Sequence, residues 1–293
     1  MTLRLHENPG AFGGLSEHAG YPEARFAILP LPYDDTASFQ KGAAAGPNAI
    51  LEVSSHLELF DIETGTEPHR AGIVTMAPVT PTDRPATYVN RVRDTADALL
   101  AAGKTVVGLG GDHSVIIGLI QAHAAHHPGL SVLQLDAHAD SRESYLGSPY
   151  NHACVMARVA EVCPYLQVGI RSMDATELAR MQPGRTFFAH DHDAAAIAAA
   201  LRDQVTGPVY VTIDLDVLDP AEMPATGTPE PGGLRYRQVL EVLDTVCRHH
   251  QVVGFDVVEL MPIDGLRAPD FLAARLVYQM LAYLVRQSAT VAG

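Results

Sequence analysis

Short, almost uninterrupted apolar runs alternate along this chain with stretches whose apolar residues recur every three to four positions. The runs at 25–31, 105–109, 131–135, 166–169, 186–189, 208–213 and 252–258 read as strands covered on both faces, since a strand with one wet face would alternate polar and apolar residues. Helical patterns fall between them at 86–102, 114–127, 194–205, 235–250 and 269–286, the first closed by Gly103 and the second by Pro128-Gly129. This alternation predicts an α/β fold, a three-layer αβα sandwich around a mainly parallel central sheet. With 293 residues, 47% of them hydrophobic, the chain can bury a large core. It shows no repeat, low-complexity tract or linker, which predicts a single domain over residues 1–293.

In such a sheet, ligands bind beyond the carboxyl ends of the strands, and the metal-capable residues cluster there. Asp136, His138 and Asp140 follow the run 131–135; Asp214 and Asp216 close 208–213; His113 follows 105–109 through Gly110-Gly111-Asp112; Glu259 ends the last run. Side chains two apart in an extended backbone share a side, so each motif presents its acids and imidazole together. Taken singly, an Asp at a strand end reads as a turn or helix cap, and a His as an ordinary hydrogen-bonded residue. Together, four aspartates and two histidines form an oxygen-rich, thiolate-free donor set suited to a hard or borderline divalent ion such as Mn²⁺. Six donors exceed a catalytic zinc's usual three, and four carboxylates roughly neutralise two dications. Two ions about 3.5 to 4 Å apart make a hydroxide available near neutral pH without a nucleophilic side chain.

Charge and cysteine content narrow the partners. With 34 acidic against 20 basic residues, a formal charge of −14 and no Lys/Arg-rich run, the chain is not expected to bind nucleic acid; the surplus suits a cationic small molecule. Three cysteines (Cys154, Cys163, Cys247) without a Cys-x-x-Cys pattern suggest neither a disulfide scaffold nor a thiolate zinc site. Residues 1–7 carry no targeting pattern and the longest apolar run, around 280–285, is too short for a bilayer, so a soluble cytoplasmic protein without membrane partners is expected. The segment 110–114 contains neither Gly-x-Gly-x-x-Gly nor a Walker lysine, and its glycines are expected to turn the backbone sharply. Residues 224–233, rich in Pro and Gly, read as a rigid loop at the pocket rim, and Asp219-Pro220 as a turn. His123, His126, His127, His249 and His250 lie near helix ends, where they are expected to cap carbonyls or face solvent.

Gly-Gly-Asp-His-Ser at 110–114, Asp-Ala-His-Ala-Asp at 136–140 and Thr-Ile-Asp-Leu-Asp-Val-Leu-Asp-Pro at 212–220 resemble, in order and spacing, the three signatures of the ureohydrolase (arginase and agmatinase) family. The segment 42–50 is similar to the family's N-terminal Gly-x-x-x-Gly-Pro, and 256–259 to its last strand. The resemblance implies one Mn²⁺ held by His113, Asp136, Asp140 and Asp214 and a second by Asp136, His138, Asp214 and Asp216, with Asp136 and Asp214 bridging. It implies hydrolysis of a guanidinium to urea and an amine, with Asp140 helping to stabilise the tetrahedral intermediate and Glu259 pairing with the guanidinium. His152 matches the family's proton-shuttle histidine, a role that a near-neutral pKa would suit; the plain alternative is a loop histidine.

Within the family, 141–145 and 168–172 resemble the agmatinase-like branch, which places agmatine, cleaved to putrescine and urea, above arginine. N1-aminopropylagmatine ureohydrolases share these motifs, and guanidinobutyrate is a further candidate. Glu143 in the first of these loops is expected to favour a cationic tail. The resemblance also suggests a homo-oligomer, trimeric or hexameric. Ala225 stands where the family usually has Gly, and at φ > 0 it would cost about 1 kcal/mol. Two readings of another class stay open. One is a two-metal phosphoesterase, which would need cations against phosphate and has only Arg142 and Arg171 near the motifs. The other is a catalytically silent metal-binding relative.

Overall fold

A computed structural model describes residues 3–5, 10–15 and 20–292, with side chains described through Ser288. Residues 1–2 and 6–7 of the N-terminal stretch read above lie outside the described residues. Eight described strands form one sheet: β1 (Phe26–Leu31), β2 (Ile73–Thr75), β3 (Thr105–Gly110), β4 (Ser131–Leu135), β5 (Tyr165–Ile170), β6 (Thr186–Phe188), β7 (Val209–Asp214) and β8 (Val252–Val258). Every pairing is parallel, and the order is β2-β1-β3-β8-β7-β4-β5-β6. The helices are α1 (Gly46–Ser54), α2 (Pro85–Ala101), α3 (Ile116–His126), α4 (Val155–Val159), α5 (Ala194–Gln204), α6 (Tyr236–His249) and α7 (Ala268–Ala292).

The strand residues divide by period two into separate cores on the two faces. Phe26 and Ile28, Val107 and Leu109, Leu133 and Leu135, and Val209, Val211 and Ile213 pack with α1, α5, α6 and α7. Ala27, Leu29 and Leu31, Val106, Val132 and Tyr210 pack with α2, α3 and α4 on the other face. Both faces are dry, which explains the unbroken apolar runs and gives the expected αβα sandwich. All seven expected strands and five expected helices are present. β2, α1 and α4 were not anticipated, because three to nine residues are too few to display a period.

Strand order does what chain order could not announce. β3, β8, β7 and β4 are neighbours at the centre of the sheet, and these four carry the candidate donors at their carboxyl ends. The backbone bends at Gly111 as expected, and the glycine is also needed there for close approach, since a Cβ would lie 2.0 Å from the Tyr33 carbonyl oxygen. His123 does not face solvent; it is fully buried in α3, its Nδ1–H donating to the Leu119 carbonyl at 2.7 Å and its ring against Tyr210. Gly254 of β8 makes room for it, as a Cβ would meet His123 Nε2 at 2.4 Å. His250 likewise reaches a carbonyl, that of Leu201 at 2.6 Å. No described helix is long and apolar enough to cross a membrane.

Candidate metal centre

His113 opens a single 3-10 turn (His113–Val115) between β3 and α3, capped by Asp112, whose carboxylate accepts from Ser114 N–H at 3.0 Å. Its Nδ1 lies 3.0 Å from Asp136 Oδ2, 3.1 Å from Asp140 Oδ2 and 3.4 Å from Asp214 Oδ2, all four side chains being buried. Beside this cluster, His138 Nδ1 lies 2.9 Å from Asp216 Oδ2 and 3.7 Å from Asp136 Oδ1. Asp136 therefore turns one oxygen toward each histidine. Two overlapping groups result, His113/Asp136/Asp140 and Asp136/His138/Asp216, each with its donor atoms within 4.8 Å of one another.

The local route to this geometry differs from the expected extended runs. β7 ends at Asp214, and Asp216 sits in a 3-10 turn (Leu215–Val217) capped by Asp214, whose Oδ1 accepts from Asp216 N–H at 2.9 Å. Asp214 thus has one oxygen near His113 and the other on the turn that carries Asp216, while Asp136 turns an oxygen toward a histidine of each group. Asp140 reaches the cluster through a left-handed backbone (φ 49°), and Glu259 is left-handed too (φ 66°). Non-glycine residues adopt this region at a cost of about 1–2 kcal/mol, and such strain is held where the surroundings fix a functional geometry.

The electrostatics call for a cation. Asp136, Asp140, Asp214, Asp216 and Glu259 converge without a lysine or arginine pairing to any of them among the described residues. Burial, then the neighbouring Asp136, pushes Asp140 up to about 7; burial, then Asp216 and Asp136, raises Asp214 well above the carboxylate range; burial, then Asp112, does the same to Glu259. Buried like charges titrate upward in this way unless a cation compensates them. The donors also fit one chemically. His113 Nε2–H donates to Thr212 Oγ1 at 2.9 Å, whose hydroxyl donates to buried Asp256 Oδ1 at 2.8 Å, so Nδ1 is the atom that faces the three carboxylates; against its burial, Asp136 and Asp140 raise the pKa of the ring well above the usual histidine value, and a bound cation would take the place of that Nδ1 proton. Such outer hydrogen bonds orient metal-binding imidazoles. Thr212 and Asp256 went unnoticed in the sequence because they meet only across the neighbouring strands β7 and β8; Gln134, which donates to Asp136 Oδ2 at 2.7 Å from two residues before it, was passed over as an ordinary strand residue.

The remaining expected residues surround this cluster. Glu259 Oε1 accepts from the His113 backbone N–H at 2.7 Å, and its Oε2 lies on the side of Gly227, in the loop 224–233. That loop does border the site, as Thr228 shares a cavity of about 240 Å³ with Ser38, His138, Asp140, His152 and Ser172. His152 is held by Thr36, and burial pushes its pKa down to about 4 instead of near neutrality, so the ring is neutral at pH 7. Ala225 needs no left-handed backbone; it is buried and its carbonyl accepts from Met261 N–H at 2.8 Å. Glu143 does not offer a free charge to the pocket, since Arg158 and Arg180 bind it at 2.6 and 2.5 Å. Arg142 stacks on Tyr145 and pairs with Glu177, while Arg171 donates to backbone carbonyls of Gly169, Asp216, Val217, Leu218, Glu230 and Pro231.

The family profile that matches this sequence is that of the arginase family, over residues 24–282. The chain is 43% identical over 268 residues to the N(1)-aminopropylagmatine ureohydrolase of Thermus thermophilus, covering 90% of this chain and 91% of that protein. It is 32% identical over 275 residues to the agmatinase of Bacillus anthracis, covering 91% and 94%. The crystal structure of the agmatine ureohydrolase of Thermoplasma volcanium matches with a TM-score of 0.84 at 28% identity, covering 93% of this chain and 94% of that one. A profile that runs from the start of β1 into α7, over a sheet whose four central strands deliver the Asp and His cluster, places this chain in the arginase family.

Proposed function

We propose that this protein hydrolyses the guanidinium group of an amine-tailed linear substrate to urea and the free amine, as a step of polyamine synthesis. N1-aminopropylagmatine ranks ahead of agmatine, which the sequence alone had put first, because the relative at 43% identity carries the former name and the one at 32% the latter. The observation that carries the chemistry is Asp136, whose two oxygens face His113 and His138 and so tie two donor groups into one site. His113, Asp136, Asp140 and Asp214 would hold one Mn²⁺, and Asp136, His138, Asp214 and Asp216 the other; the oxygen-rich donor set supports this ion. Two such ions, when bound, lower the pKa of water and supply hydroxide near neutral pH.

The chain's own groups then orient the reaction. Glu259, fixed through Oε1 by His113 N–H, keeps Oε2 to accept a guanidinium N–H and so aims the planar carbon at the cluster. Asp140, which lines the cavity, takes a hydrogen bond from the developing tetrahedral centre. His152, which also lines the cavity and is neutral at pH 7, takes up at its ring the proton that the attacking water gives up and passes it on to the departing amine. A phosphoesterase has less support: Arg142 and Arg171 are engaged by Glu177 and by backbone carbonyls, which leaves neither free for phosphate. Urea release from the Mn²⁺-loaded protein tests the reading. Urea from aminopropylagmatine or agmatine supports it; phosphate release from phosphoesters without urea, or no turnover of any guanidinium compound, would overturn it.

A further inference from the structure

Thr36 lies buried in the loop after β1, between the Asp112 cap and His152. Asp112 Oδ2 accepts from the Thr36 N–H at 2.9 Å and from the Thr36 hydroxyl at 2.9 Å, while its Oδ1 accepts from the N–H and hydroxyl of Ser114. Both carboxylate oxygens are thus occupied by donors, so the single Thr36 hydroxyl proton points at Asp112. The two lone pairs of that hydroxyl are left for His152, whose backbone N–H donates to Thr36 Oγ1 at 3.0 Å and whose ring Nδ1 lies 3.3 Å from the same atom. An oxygen whose only hydrogen is committed elsewhere can meet Nδ1 only as an acceptor. Nδ1 must then carry the ring proton. Nε2 is left with its lone pair beside Ser38 Oγ at 3.4 Å, on the cavity that also contains His138 and Asp140.

We propose that Thr36 is a positioning residue: anchored on Asp112, it fixes His152 as the Nδ1–H tautomer and directs the Nε2 lone pair into the reaction cavity. The inference rests on the reading of His152 as the proton carrier, and it gives that histidine a defined starting state. A neutral ring free in solution exchanges between tautomers, and only one of them can accept a proton at the atom that faces substrate. Asn151 reinforces the arrangement, its Nδ2 donating to the Thr36 carbonyl at 3.4 Å, so the loops 34–38 and 151–152 are joined through both side chain and backbone.

The test is Thr36→Val, nearly the same shape without the hydroxyl, with Thr36→Ser as the restoring variant. Ring ¹⁵N resonances of His152, read by NMR with diamagnetic Zn²⁺ replacing Mn²⁺, should show Nδ1 protonated in the wild type and in Thr36→Ser, and a mixture of tautomers in Thr36→Val. With Mn²⁺, kcat of Thr36→Val should fall at least tenfold with KM and bound metal within twofold of wild type, and Thr36→Ser should recover most of it. In a His152→Ala background, Thr36→Val should have no further effect, because its influence passes through that ring. A wild-type ring protonated at Nε2 overturns the inference whatever the activity. So does an equal loss from Thr36→Val in the presence and absence of His152, which would mark Thr36 as a packing residue. If His152→Ala is fully active while the wild-type ring is still Nδ1–H, the proton-carrier reading falls and the tautomer assignment stands.

Discussion

His113 donates its backbone N–H to Glu259 Oε1 at 2.7 Å, which fixes a candidate metal donor at the end of β3 to the expected guanidinium partner at the end of β8. Because β3 and β8 are adjacent strands, this bond needs no long side chain to reach across the site. Glu259→Gln retains an acceptor for that N–H but loses the charge. It should keep both metal ions while kcat/KM for guanidinium substrates falls roughly 10- to 150-fold, the worth of a charge-assisted pair at about 1.5 to 3 kcal/mol. Steady-state kinetics beside metal analysis decides; wild-type turnover would leave Glu259 as a strand-end residue only.

Asp136 is the shared member of the two donor groups, whereas His113 and His138 each belong to one. Asp136→Ala should therefore lose both ions after dialysis, and His113→Ala or His138→Ala should each retain about one. Mass-spectrometric metal content per chain is the readout. Two ions retained by Asp136→Ala would refute the shared-ligand assignment.

Gly111 passes so close to Tyr33 that a methyl group would sit 2.0 Å from its carbonyl oxygen, and the backbone cannot retreat because Gly111 also bonds Leu31 and Glu259. Gly111→Ala should destabilise the fold by about 3 kcal/mol, the upper range for an overpacked site. Urea unfolding midpoints would show it. An unchanged midpoint would mean that the loop carrying His113 is free to move.

His123 provides a pH dependence that is separate from the metal site. Burial lowers its pKa from 6.5 to about 3, so the folded state holds it neutral while the unfolded state protonates it below about pH 6.5. The unfolded chain then binds the extra proton, and stability contributed by the neutral ring is present above pH 6.5 and lost as pH falls from 6.5 toward 3. His123→Met, measured without metal, should lose less stability than wild type between pH 7 and pH 5. Parallel curves for the two proteins would contradict the buried-neutral assignment.

The chemistry of the centre was more legible than its framework. His113, Asp136, His138, Asp140, Asp214 and Asp216 stand within short motifs, each at the end of a readable apolar run, so their convergence followed from the rule that parallel sheets bind ligands at the carboxyl rim. What the motifs could not show was how the rim is supported. Thr212 and Asp256 meet His113 only because β7 and β8 are neighbours, and Thr36 meets His152 across 116 residues. Charge was misleading for a similar reason: Glu143 reads as an open carboxylate until Arg158 and Arg180 are seen to hold it. The glycines before His113 read as a turn, and only the fold shows that their lack of a side chain also serves packing against Tyr33 and Val258. His123 reads as a helix-end residue until α3 is laid against β7 and β8.

The central claim, hydrolysis of an amine-tailed guanidinium, is tested most directly by kcat/KM for urea release from N1-aminopropylagmatine, agmatine, guanidinobutyrate and arginine under one Mn²⁺ concentration. Arg142, which lines the cavity, and Arg171, next in sequence to its Ser172, are already engaged, so an α-carboxylate would enter a pocket rich in acids without a seat. A mismatch of that kind costs about 3 kcal/mol. The account predicts that aminopropylagmatine and agmatine exceed arginine by at least about 100-fold, with aminopropylagmatine first. Arginine or guanidinobutyrate cleaved as well or better would contradict it.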